Sequence, residues 1–332
     1  MPSLRASVVI PTYNRPDRVR TCLEHLARQS VPPVEIVVVD SSPGDQTQAV
    51  VAAADGVIYR RNPMGRGATA ESRAIGLADV TAEVVAFLDD DANARPDWLH
   101  QLLLRYADET VGGVGGSALN GIPGERDHGF ANIGRLLPDG RLTGFFAADP
   151  GRDVVVDHLL GANMSFRRAA IDQVGGIHGG YPGTCLREES DLALRLRRTG
   201  YHLVYTPDAV VDHLPGEYAK GKRFDRRYSF YGNRNHVVLL ARTLGWSSPI
   251  TRRFPRTAVI EIRTEMRRLS TALPIYRANG AQAGLRTVVG VLTRMAALSL
   301  GLVAGYPAAF AQIRSDRRRS APSARVEVGT PA

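Results

Sequence analysis

The sequence predicts an α/β fold, a mostly parallel sheet with helices on both faces, followed by a helical C-terminal extension. Three observations carry that expectation. Short runs of consecutive apolar residues at 7–10, 35–40 and 84–88 alternate with segments whose apolar residues recur at helical spacing, and strands apolar on both sides belong to sheets covered on both faces. Past residue 225 strand-like runs stop and helical periodicity takes over. A chain of 332 residues, 44% hydrophobic and 23% charged, is long enough for one large core plus an appendage.

SVVI at 7–10 is a β-branched run ended by Pro11, a buried strand meeting a turn. In RPDRVRTCLEHLARQS, Val19, Cys22, Leu23, Leu26 and Ala27 recur at helical spacing, and Pro16 and Asp17 suit a first turn. EIVVVD at 35–40 reads as a strand ending in a carboxylate, Asp40. Residues 57–59 read as a short strand and 68–79 as a helix. VVAFL at 84–88 is a further buried strand, and it runs into Asp89-Asp90-Asp91. Pro96 then opens a helix carrying Trp98, Leu99, Leu102, Leu103 and Tyr106. Residues 110–160, rich in Gly, Asp and Pro, read as strands with long connections. A helix over 186–200 stops at Gly200, the residue type favoured just past a helix end. YHLVYTP and AVVDH read as two short strands. Helices are expected at about 225–245, 256–273 and 283–305, the second with Val259, Ile262, Met266, Leu269 and Leu273 on one apolar stripe. Beyond Arg314 the chain is charged, then rich in Ser, Pro, Gly and Thr, the composition of a disordered tail. The expected partition is therefore a catalytic domain over 1–222, a helical region over 223–313 and a basic tail over 314–332.

Two cysteines, Cys22 and Cys185, provide neither a disulfide framework nor a metal cluster, which fits a reducing cytoplasm. The N-terminus runs straight into a strand without the pattern of a secretory signal. The net charge of +9 admits nucleic acid, anionic lipid or an anionic substrate as partner. The arginines gather late, in RRFPR, RRL and RSDRRRS, beside the charge-free stretch Met295–Ala311. That stretch sits at the short end for a bilayer span and is broken by Gly301, Gly305 and Pro307. It predicts a helix packed on the domain or lying in a membrane interface, with Arg314, Arg317, Arg318 and Arg319 meeting anionic headgroups at the inner face of the cell membrane. No zinc finger, RNA-binding signature or helix-turn-helix supports nucleic acid as partner.

Ligands of open α/β sheets bind at the carboxyl ends of strands. Asp40 and the Asp89–Asp91 run end two such strands and so face one crevice. Three adjacent carboxylates repel one another unless a cation neutralises them, and a divalent ion with oxygen ligands bridging to phosphates is the simplest neutraliser.

SVVIPTYNR, the strand ending in Asp40, FLDDDA, GANMSFRR and REESDLALRLRRTG occur in that order over roughly residues 5–245. Together they resemble the family 2 glycosyltransferases, inverting enzymes of the GT-A fold with its Rossmann-like sheet. The resemblance implies that Pro11, Thr12 and Tyr13 hold the nucleotide, that Asp40 contacts the base and that Arg73 reaches the base or the diphosphate. The family often has Arg-Asn where this chain has Arg73-Ala74. The DxD carboxylates map to Asp89, nearer the ribose, and Asp91, the metal ligand, with Asp90 between them. A late histidine after a β-like run completes the metal site in such enzymes, which implies His213. GANMSFRR lines the sugar pocket, where Asn163 would bond sugar hydroxyls and Gly161 would let backbone come close. The acidic helix start Glu188-Glu189-Ser190-Asp191 carries the base, with Glu189 at the position usually held by Asp and the choice between Glu189 and Asp191 open.

The resemblance further implies Mn2+ or Mg2+ as cofactor, a nucleotide-diphosphate sugar as donor, and a saccharide or lipid-linked acceptor in cell-wall, cell-surface polysaccharide or glycolipid synthesis. The sequence leaves room for a homo-oligomer. A sugar-nucleotide pyrophosphorylase would need a Gly-rich basic loop after the first strand, where this chain reads PTYNRPD. A dinucleotide-dependent oxidoreductase would need GxGxxG there, and MGRGATA at 64–70 is only a partial match in the wrong place. A non-catalytic carbohydrate- or lipid-binding protein on this scaffold would have eroded acidic motifs, and here they are present.

Overall fold

The computed structural model describes residues 4–183, 185–213 and 226–320. In chain order the elements are β1 (Ala6–Thr12), α1 (Pro16–Leu26), β2 (Ile36–Asp40), α2 (Gln46–Ala52), β3 (Val57–Arg61), α3 (Thr69–Asp79), β4 (Val84–Leu88), β5 (Ala92–Ala94) and α4 (Trp98–Leu104). They continue with β6 (Val111–Leu119), β7 (Val154–Val156), β8 (Asn163–Arg167), α5 (Arg168–Gln173), α6 (Glu188–Arg198) and β9 (His202–His213). The C-terminal helices are α7 (Arg226–Leu244), α8 (Pro249–Arg267), α9 (Ala272–Asn279) and α10 (Ala281–Ser320).

Among the described residues nine strands form one mixed sheet in the order β3-β2-β1-β4-β8-β6-β9-β5, with β7 on β9. The half built from β3, β2, β1 and β4 is parallel, and β8 enters antiparallel to β4. Both faces of β1, β2 and β4 are largely buried, which is why these strands are mostly apolar rather than alternating, while the edge strand β3 carries an exposed Arg60. Val8, Ile10, Val38 and Ala86 pack on one side with Val19, Cys22, Leu26 and Trp98. Val9, Val39, Val85 and Phe87 pack on the other with Leu77, Ile171, Leu192 and Leu196.

Two features of this packing aim side chains at the carboxyl ends of β1, β2 and β4. Thr12 and Asp40 are register partners at the ends of β1 and β2. Helix α3 lies close to the sheet because Gly76 has no side chain, since a Cβ there would stand 2.4 Å from a Val9 methyl. Arg73, one turn earlier on α3, is thereby held over the strand ends.

The two short strands expected over 201–213 are one strand, β9. Pro207 hides its continuity in the sequence. The register against β6 shifts between the pairs Gly116–Thr206 and Ala118–Val211, so Pro207 sits in a bulge where no ladder amide is required. The end of β9 pairs antiparallel with β5, setting His213 opposite Ala92, next to the aspartate triplet.

The C-terminal helices also run beyond their expected limits. Helix α8 begins at Pro249 and contains Pro255. Helix α10 has 40 residues and carries Pro307 inside it, so Arg314–Ser320 is helix rather than the start of a disordered tail. The boundary expected at 222/223 and the tail past Ser320 lie outside the described residues. Gly301 and Gly305, which read as helix breakers, are contact points instead. A Cβ at Gly301 would stand 2.1 Å from the Phe230 carbonyl oxygen, and one at Gly305 would stand 2.6 Å from Val237 Cβ. They let α10 approach α7 closely. The apolar stripe expected over 259–273 is split between α8, a short turn and α9, and Val259, Met266 and Leu273 are exposed.

Candidate active site

Asp89, Asp91 and His213 converge past the end of β4. One ligand atom from each lies within 4.8 Å of the other two. His213 Nε2 stands 3.4 Å from Asp91 Oδ1. Two carboxylates and an imidazole could hold a divalent metal ion, and Asp89 is a third exposed. Burial works to raise the pKa of Asp91, but its hydrogen bond with His213 and the charges of His213 and Arg15 hold it below the usual carboxylate range.

Asp90 turns away from this group. It accepts from Thr12 Oγ1 at 2.6 Å and from Arg15 at 2.9 Å, and burial pushes its pKa up to about 6. Its expected contact with the donor is therefore not presented, and Thr12 spends its hydroxyl on the same bond. Pro11 is buried within the sheet and Tyr13 is half-buried. Arg15, which the sequence reading passed over, reaches both Asp90 and Asp91 at 2.9 Å. Its signal was its position, in the turn leaving a strand whose carboxyl end faces the cleft.

Asp40 is wholly buried and accepts from Ser42, from Tyr59 at 3.0 Å and from Arg61 at 3.5 Å. Its carboxylate is thus held by protein groups of β3 and the turn after β2. The Tyr59 phenol, desolvated and beside that carboxylate, has its pKa pushed up to about 12 and stays a donor.

Arg73 joins the two acidic motifs. Its guanidinium, 2% exposed, donates to Asp89 Oδ1 at 2.9 Å and to the Gly161 carbonyl at 2.8 Å, and pairs with Glu188. Gly161 makes this possible, because a Cβ there would stand 3.1 Å from the guanidinium. Both terminal nitrogens of Arg73 are thus engaged with protein groups, while its buried Nε has no hydrogen-bond partner among the described residues.

The acidic start of α6 separates into distinct roles because successive helical residues point 100° apart. Glu188 is buried on Arg73. Asp191 is fully buried, bonded by Tyr181 Oη at 2.6 Å and Arg195 Nε at 2.6 Å. Glu189 is only half-buried, with the Ser190 hydroxyl 3.3 Å away. Burial raises its pKa, against the lowering effect of Arg187 and Arg73. Of the three acids it alone keeps a carboxylate unclaimed by a salt bridge among the described residues.

Asn163 is also removed from the pocket. Its side chain is fully buried, accepting from Trp98 Nε1 at 2.8 Å and donating to the carbonyls of Ser117 and Ala209 at 2.9 Å each. Those bonds engage both ends of the amide.

The fold and this cleft define a glycosyltransferase of GT-A architecture that uses a nucleotide-sugar donor. The chain belongs to glycosyl transferase family 2, whose profile matches residues 7–175. It is 29% identical over 227 residues to a glucosyl-dolichyl phosphate glucuronosyltransferase of Haloferax volcanii, covering 65% of this chain and 71% of the relative. A pre-mycofactocin glycosyltransferase of Mycobacterium tuberculosis is 30% identical over 62% of this chain, which spans 42% of that longer protein. An O-antigen chain rhamnosyltransferase of Salmonella anatum is 24% identical over 69% of this chain and 71% of its own length. Among solved structures, a mannosyltransferase of Pyrobaculum calidifontis in complex with GDP-Man and Mn2+ is similar with a TM-score of 0.58 at 20% identity, over 95% of this chain and 88% of its own. GalNAc-T7 with UDP, GalNAc and Mn2+ is similar with a TM-score of 0.60 at 17% identity, over 80% of this chain and 51% of its own.

Asn163→Ala tests the reassignment of that residue. Losing three buried hydrogen bonds should cost roughly 2–4 kcal/mol of stability, read by chemical denaturation, with donor KM unchanged. A raised KM with wild-type stability would return Asn163 to the pocket.

Proposed function

We propose that the chain is an inverting, metal-assisted glycosyltransferase acting at the inner face of a membrane on a saccharide or lipid-linked acceptor hydroxyl, with Glu189 as the base. The observation that carries this reading is the Arg73 bridge, by which the metal-ligating Asp89 and the helix start bearing Glu189 share one guanidinium. Asp89, Asp91 and His213 would hold the cation. When bound, it neutralises charge developing on the departing diphosphate.

The chain's own residues do the rest. Arg15 and Arg73 offset the carboxylates of the cleft and keep Asp89 and Asp91 oriented. Glu189 accepts the proton of the acceptor hydroxyl, and its raised pKa suits that task near neutral pH. The deprotonated oxygen forms a bond to the anomeric carbon from the side opposite the leaving diphosphate, whose bond to that carbon breaks. A single base and one displacement give inversion.

The acceptor is a lipid-linked or cell-surface glycan, and the support lies in α10. This helix is long and apolar enough to cross a membrane, and its most apolar stretch is only 17% buried. Leu285, Val289, Leu292, Leu300, Val303 and Phe310 are exposed and, at 3.6 residues per turn, lie on one face. Exposed arginines accompany it, including Arg277, Arg286, Arg314 and Arg317. An apolar face with flanking arginines suits the interface of an anionic bilayer. The named Haloferax and Salmonella relatives, which act on a dolichyl phosphate and on O-antigen chains, favour the same class of acceptor.

Glu189→Gln should retain Mn2+-dependent thermal stabilisation by the donor and lose at least a hundredfold in transfer. Chelator should abolish both donor stabilisation and turnover in the wild type. In the wild type the acid limb of kcat/KM should lie above the ordinary glutamate value of about 4.3, with activity rising as Glu189 ionises. Near-wild-type transfer by the Gln variant removes Glu189 from the role, and full activity in chelator removes the metal.

Flotation with phosphatidylglycerol-containing vesicles should carry the full chain upward, and Val303→Asp with Leu300→Asp should leave it at the bottom. Flotation of that double variant like wild type would rule out the α10 face.

A further inference from the structure

The base stands on a helix whose other side is fixed by the C-terminal helices. The segment entering α6 is unusual backbone, with Cys185 and Arg187 at φ of +58° and +87°, a region that non-glycine residues rarely adopt. Such a segment keeps its shape only when its surroundings hold it. Helix α7 supplies much of the hold. Arg234 donates to the Gly180 carbonyl at 2.8 Å, and Asn235 donates to the carbonyls of Pro182 and Leu186 at 3.2 Å each. Arg242 donates to the Gly179 carbonyl at 2.8 Å and stands 3.7 Å from Asp191.

Arg242 is itself held from α10. Its Nε and NH2 make a two-pronged pair with Asp316 at 2.6 and 2.7 Å, the geometry that fixes a guanidinium most firmly. Arg242 is 3% exposed and Asp316 21%. A continuous chain of charges therefore runs from α10 through Asp316 and Arg242 to Asp191, which lies two residues after Glu189 in the same helical turn. Tyr181 and Arg195 complete the cage around Asp191. His178, 3.8 Å from Asp191, has its pKa lowered to about 4 by burial and the nearby arginines, so it stays neutral and leaves the pairing to the arginines.

We infer that Arg242 and Asp316 are positioning residues for Glu189, so that the last turns of α10 belong to the catalytic apparatus. The inference rests on the reading of Glu189 as base. Without Asp316, Arg242 has lost its two-pronged partner and its remaining ionic partner is Asp191. Drawn toward that carboxylate, it releases the Gly179 carbonyl and rotates the first turn of α6, while Asp89, Asp91 and His213, on other elements, stay in place. The expected signature is a loss in kcat with donor KM preserved.

The test uses the full chain with Mn2+ and whichever of UDP-glucose, UDP-glucuronic acid, GDP-mannose or dTDP-rhamnose stabilises it thermally, following nucleotide release. Asp316→Ala should lower kcat at least tenfold with KM within twofold of wild type, and Asp316→Glu should recover kcat to within threefold. A wild-type kcat in Asp316→Ala overturns the inference, as does a KM effect equal to the kcat effect. Should Asp316→Ala show no cooperative melt, Arg242→Lys replaces it. That variant keeps the charge and loses the fork, so the same split is expected, and a wild-type kcat there is equally fatal. Glu189→Gln run alongside separates the two ideas. If Glu189→Gln is inactive while Asp316→Ala is normal, the positioning role alone fails. An active Glu189→Gln overturns the base and the positioning role together.

Discussion

The site depends on one buried cation. Arg73 is out of solvent with a carboxylate on either side, Asp89 from the end of β4 and Glu188 from the start of α6. Glu188, buried with it, would not tolerate its place alone, because an unpaired charge left buried by removal of its partner costs about 3–5 kcal/mol, whereas Asp89 is a third exposed. The pairing therefore ties two distant parts of the chain to one geometry. It holds Asp89 near Asp91 and His213, and it anchors the first turn of α6, where Glu189 follows Glu188 in sequence. Gly76 and Gly161 belong to the same arrangement. One brings α3 down onto the sheet, and the other leaves room for the guanidinium.

The remainder of the molecule supports that cation from outside. β5 and β9 pair antiparallel, which is how His213, more than a hundred residues from the aspartates, comes to lie beside them. On the far side of α6, Asp191 is enclosed by Tyr181, Arg195 and Arg242. The first turn of α6 is thus held by Arg73 on one side and by Arg242 of α7 on the other, and Arg242 is in turn paired with Asp316 of α10, the helix that also presents an apolar face to the outside.

Much of the architecture is legible in the sequence because it rests on local pattern. The runs VVI, VVV and VVAFL can be buried strands only in a sheet covered on both faces, and the acids at their ends follow from that register. What the sequence hides is direction. The acidic run leaves the base open between Glu189 and Asp191, yet on a helix these acids fan out, and Glu188 and Asp191 are buried on arginines while Glu189 is half-buried. Asn163 reads as a sugar contact because its neighbours form a family motif. Its partners Trp98, Ser117 and Ala209 come from three other segments, and no local signal announces them. Arg15 shows the same limit, since its carboxylate partners, Asp90 and Asp91, come from a distant segment. Gly301 and Gly305 look like helix breakers until α7 is seen packed against them, and Asp316 looks like tail until Arg242 is found beside it.

The most direct test of this account is Arg73→Lys, assayed for both Mn2+ affinity and turnover in the same preparation. A lysine carries the charge but has no fork, so it can serve Asp89 or Glu188 and not both. The account predicts that Mn2+-dependent donor binding and kcat weaken together, each by roughly tenfold or more, equivalent to about 1.4 kcal/mol or more, in a chain that still melts cooperatively. If turnover and metal affinity both stay within twofold of wild type, the bridge is not what organises the site.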